Sequence, residues 1–74
     1  MIENHLIRFR ENFPLVRVIQ YSDFLSYKVP DGRADSCAKL ANELIEKLDV
    51  PLVAIPTILF RKDSFIVKSS EVEL

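Results

Sequence analysis

Cysteine, histidine and glycine each occur once in this chain of 74 residues, and tryptophan does not occur at all. With Cys37 alone, no internal disulfide can form, and Cys37 with His5 makes no cluster at metal-ligand spacing. No metal and no cofactor is therefore expected. A single glycine excludes a glycine-rich phosphate loop. The longest strongly apolar run, from Val50 to Phe60, is interrupted by Pro51 and Pro56 and is too short to span a bilayer. The start, Met1-Ile2-Glu3-Asn4-His5, lacks the basic, apolar, small-residue order of a signal peptide. Neither sign of charge dominates: 10 Lys and Arg are interspersed with 11 Asp and Glu, a net charge of −1. No long-range field thus points to nucleic acid or membrane. These absences together imply a reduced, cytoplasmic setting.

What is present is apolar surface, 49% of the residues. That much in so short a chain implies one domain, residues 1–74, with a core at the lower limit of self-sufficiency. The strongest pattern runs from Ala34 to Leu48. Cys37, Leu40, Ala41, Leu44, Ile45 and Leu48 recur at three- and four-residue spacing, predicting one apolar helical stripe, with Lys39, Asn42, Glu43, Glu46 and Lys47 opposite. Asp35 or Ser36 can cap its start, and Asp49-Val50-Pro51 stops it. Ile2, Leu6, Phe9 and Phe13 predict a shorter amphipathic helix ended by Pro14.

Leu15–Tyr21 and Phe24–Val29 are rich in β-branched and aromatic residues, and Ser22-Asp23 between them predicts a two-residue hairpin loop. Tyr21 then opposes Phe24, Val18 opposes Tyr27 and Val16 opposes Val29. Val16, Val18, Leu25, Tyr27 and Val29 form the core face; Leu15, Arg17, Ile19, Tyr21, Phe24, Ser26 and Lys28 form the other. Pro30-Asp31-Gly32-Arg33 is a turn with Gly32 at a positive φ. Pro56 marks an edge, a bulge or a break. Ile58-Leu59-Phe60 and Phe65-Ile66-Val67 predict a second hairpin, with Phe60 opposite Phe65, Ile58 opposite Val67, and Leu59 and Ile66 on the reverse side. Residues 69–74 read as a loosely ordered tail. The fold class expected is α+β in the order α-β-β-α-β-β, two hairpins forming a sheet packed on a central amphipathic helix.

The second hairpin is apolar on both sides, so a single helical layer leaves one side wet. Leu59 and Ile66 are therefore candidates for contact with a protein partner or a second copy. Arg17, Ile19, Tyr21, Phe24 and Lys28 form a second candidate group. Aromatics interleaved with cations on a sheet face also suit stacked bases and phosphates, which makes nucleic acid the alternative partner; Arg8, Arg10 and Arg33 would extend that patch. Cys37 in a first helical turn after Arg33 is the third candidate, because helix N–H groups and a cation activate thiols.

Residues Ile55-Pro56-Thr57-Ile58-Leu59-Phe60-Arg61-Lys62-Asp63 resemble the segment of thioredoxin-fold proteins in which a cis-proline precedes a β-hairpin. The resemblance implies that Pro56 faces a reactive Cys37 and supports a thiol-dependent activity. Ala34-Asp35-Ser36-Cys37 departs from that family in lacking the first, attacking cysteine of the redox pair. The carboxylates Asp23, Asp31, Asp35, Asp49 and Asp63 fall in turns and caps. No nucleophile–base set can be assembled, so the expectation is a non-enzymatic interaction module.

Overall fold

The computed structural model describes residues 2–30, 32–57 and 63–71. It contains α1 (Ile2–Asn12), β1 (Arg17–Gln20), β2 (Phe24–Lys28), α2 (Ala34–Leu48), β3 (Leu52–Pro56) and β4 (Ser64–Ser69). The strands form one antiparallel sheet in the order β1-β2-β4-β3, and the helices lie on one side of it. The expected α+β class and element order are both present.

The first hairpin has the expected register, Val18 opposite Tyr27 and Arg17 opposite Lys28, closed by the Tyr21 N–H donating to Phe24 O at 2.9 Å. Its alternation ends with the ladder. Val16, expected on the core face, lies outside β1 and is fully exposed. Leu15, expected on the other face, packs against the core. Beyond the Arg17–Lys28 pair no hydrogen bond among the described residues joins residues 15–16 to β2, and Pro14 has no N–H to extend the ladder.

The core is built from one parity of each strand. Leu25, Tyr27, Leu52, Ala54, Phe65 and Val67 are buried, together with Leu6 and Phe9 of α1. The Tyr27 ring stacks on Phe65 (centroids 5.0 Å apart, planes 10° apart), and Phe13 meets both rings edge-on. Helix α1 is too short to hold itself in water and persists through this burial.

The inner line of α2 is Ala34, Ala38, Ala41 and Ile45; Ala41 and Ile45 belong to the expected stripe, whereas Ala34 and Ala38 were not expected in it. Small side chains let the helix axis approach the sheet closely, and this rotation leaves Leu40 55% exposed, with Cys37, Leu44 and Leu48 half-buried at the margins. Arg33 occupies the N-cap position without a side-chain cap bond, so neither Asp35 nor Ser36 caps. Asp49 takes the left-handed conformation at the C-cap (φ 53°), and its N–H donates to Glu46 O. Gly32 has φ +81° as expected, in a turn closed by the Arg33 N–H donating to Pro30 O.

The second hairpin forms in a different register. Phe65 lies between Tyr27 and Pro56, and Val67 between Leu25 and Ala54, so both sides of β4 are occupied at the positions expected to face Phe60 and Ile58. The apolar run supplies its strand earlier, from Leu52, and Pro56 ends it on the sheet edge. Ile58, Leu59 and Phe60 lie outside the described residues. Ser69, the expected start of the tail, ends β4, and the Ser70 N–H donates to Pro51 O at 3.0 Å.

Candidate interaction surface

The second parity of the strands forms a sheet face that no described element covers. Three rows cross it. The middle row, Ile19–Ser26–Ile66–Ile55, runs over all four strands. The second is Phe24–Lys68–Val53, extended by Tyr21, whose ring stacks on Phe24 at 4.5 Å and 16°. The third is Arg17–Lys28–Ser64. An apolar row therefore lies between an aromatic row and a cationic one. Ile19 is 59% exposed, Tyr21 46% and Ile55 39%, while Phe24, Ile66 and Val53 are half-buried by their neighbours.

Six of the seven residues expected to contact a partner, Arg17, Ile19, Tyr21, Phe24, Lys28 and Ile66, thus share one face. Leu59 lies outside the described residues. Val53 and Ile55 belong to the same face and are not among the residues expected there, because the expected partner strand of Phe65–Val67 is Ile58–Phe60 and not the run before Pro56. No sequence signal marks them, since Leu52, Val53, Ala54 and Ile55 are all apolar, and only the structure separates the buried Leu52 and Ala54 from Val53 and Ile55.

The electrostatics of the face are local. Lys28 Nζ approaches Asp63 Oδ2 at 4.0 Å from a largely solvated position, so the pair adds little stability, and the other carboxylate oxygen, Asp63 Oδ1, is buried with no hydrogen-bond partner among the described residues. Arg17, Lys28 and Arg33 line a shallow groove of about 450 Å³ that also reaches Cys37. Arg10, expected as part of the same patch, instead donates to Gln20 Oε1 at 3.0 Å from the helical side.

The two edges of the sheet differ. Thr57–Ser64 and Ser70–Pro51 bonds fix which β3 residues face β4, so Leu52, Ala54 and Pro56 direct their backbone groups outward. The Leu52 N–H donates to Val50 O. Ala54 donates to Asn42 Oδ1 at 2.9 Å, and Asn42 Nδ2 donates back to Ala54 O at 3.0 Å. Pro56 has no N–H. Every outward N–H of β3 is thereby taken or absent. Asn42, expected on the solvated face of α2, is the residue that seals this edge.

Cys37 is half-buried against the core, and its N–H donates to Arg33 O. No peptide bond among the described residues is cis, so Pro56 lacks the isomer that the thioredoxin resemblance implies. No group of three or more His, Cys, Asp or Glu converges among the described residues, and no described helix is long and apolar enough to cross a membrane. No family model, curated protein or solved structure matches the chain.

Proposed function

We propose that the protein is a non-enzymatic protein-interaction module, an adaptor, inhibitor or complex subunit that works as a homo-oligomer. The observation that carries this reading is the uncovered apolar row Ile19–Ser26–Ile66–Ile55 in a chain whose core occupies only the opposite face. Each large apolar side chain withdrawn from water contributes on the order of 2 kcal/mol. That is a substantial fraction of the stability of a domain this small. A lone thiol without a pairing partner supports a reduced, cytoplasmic setting. Sedimentation of wild type and Ile19→Lys over a micromolar concentration range tests the reading. Wild type is expected to associate and Ile19→Lys to remain a folded monomer; a monomeric wild type contradicts it.

The groove bordered by Arg17, Lys28 and Arg33, with the stacked Tyr21 and Phe24 across the apolar row, supports a second reading as a nucleic-acid-binding surface. Phosphate contacts would make such binding fall with salt, and stacking would favour single strands. Titration of fluorescent single-stranded DNA and RNA at about 0.15 M salt separates the readings. The interaction-module reading expects no saturation; saturable binding weakened by both Arg17→Ala and Tyr21→Ala would favour nucleic acid.

A further inference from the structure

The contrast between the sheet edges carries an inference about how copies of this chain meet. It rests on the reading of the protein as a self-associating module and names the contact. In β1 the Tyr21–Phe24 bond fixes the ladder phase, so Arg17 and Ile19 bond to β2 and Val18 and Gln20 direct their N–H and C=O groups outward. No hydrogen bond among the described residues reaches those four groups. They lie on a β-branched edge flanked by the fully exposed Val16. Proteins ordinarily blunt such edges; here β3 is blunted by Asn42 and Pro56, and β1 is left open.

We propose that β1 pairs antiparallel with β1 of a second copy about a two-fold axis perpendicular to the sheet at Ile19. The strand is complementary to itself in this register. Val18 and Gln20 of one copy exchange backbone bonds with Gln20 and Val18 of the other, which satisfies all four outward groups on each strand. Ile19 meets its own counterpart at a non-hydrogen-bonded site, where side chains approach most closely. Arg17 falls opposite the Tyr21 ring of the copy, a favourable cation–aromatic pairing. Moving the axis to Arg17 would instead set two guanidinium groups against each other. The product is a continuous eight-stranded sheet, with both uncovered faces on one side and all helices on the other. The two apolar rows then join end to end through Ile19.

The test uses the full chain with Cys37→Ala, so that introduced thiols are the only ones. Ile19→Cys is expected to give a disulfide-linked dimer on mild oxidation, because directly opposed residues at such a site have Cα atoms within disulfide range. Ile66→Cys, on a central strand, is expected to stay unlinked. Gln20→Pro removes one outward donor without touching the β1–β2 ladder and should abolish the dimer, with the circular dichroism spectrum of the fold unchanged. Should Gln20→Pro fail to fold, the paired cysteine variants still decide. Crosslinking through Ile66→Cys and not Ile19→Cys would overturn edge pairing while leaving the interaction-module reading standing, as a face-to-face dimer. A wild type that stays monomeric overturns both.

Discussion

Tyr27 puts a hydroxyl into an otherwise apolar core. Its ring is fully buried between Phe9, Phe13 and Phe65, and its hydroxyl donates to Phe13 O at 3.0 Å. Burial pushes the phenol up to about 12, against the opposing pull of the Arg10 guanidinium. The unfolded phenol ionises near its ordinary value of 10.0, so above that pH the unfolded chain releases a proton that the folded chain retains. The contribution of Tyr27 is therefore full below pH 10 and is lost as pH rises towards 12. Tyr27→Phe should cost about 1 kcal/mol at neutral pH through the lost hydrogen bond, and should flatten the alkaline loss. Urea unfolding of both proteins across that range checks it. Cys37 gives the opposite kind of residue-scale expectation. As a half-buried packing residue, Cys37→Ala should cost about 1 kcal/mol and leave association intact. Native-state labelling by a thiol reagent should be slow, and fast labelling at pH 6 would mark a reactive thiol.

At the scale of elements, Asn42 decides which edge of the sheet is available. Asn42→Ala leaves the buried Ala54 N–H and C=O without partners and should destabilise the fold by about 1–3 kcal/mol. It should also open β3, so that species larger than those of wild type appear in size-exclusion chromatography. An unchanged profile with unchanged stability would remove Asn42 from its role. The first hairpin was legible in the sequence because Ser22-Asp23 punctuates two runs whose parities differ in polarity, and a one-residue slip would invert them. The second was not, because residues 52–60 are apolar on both parities and offer two candidate strands, one on either side of Pro56, of equal quality. Likewise Leu40 outweighed Ala38 in the reading of α2, since hydrophobic periodicity gives alanine little weight, whereas packing against a sheet favours it for the close approach it allows. The sealing role of Asn42 was invisible for a different reason: it depends on β3 being an edge, a property of strand order alone.

For the whole molecule, helices cover one sheet face, the β3 edge is closed, and one face and the β1 edge remain open together at Ile19. The partner-binding residues expected from the sequence converge there because cross-strand register places Arg17, Ile19, Phe24, Lys28 and Ile66 on a single parity. On the reading proposed above, this surface is completed by another protein molecule, in the first instance a second copy. Small-angle X-ray scattering over a concentration series measures it most directly. The isolated chain has a mass of 8.6 kDa and a Cα radius of gyration of 11.1 Å. Pairing of two copies gives a scattering mass twice 8.6 kDa and a radius well above 11.1 Å, both reverting to the single-chain values in Ile19→Lys. A wild type that holds a mass of 8.6 kDa at every concentration would contradict it.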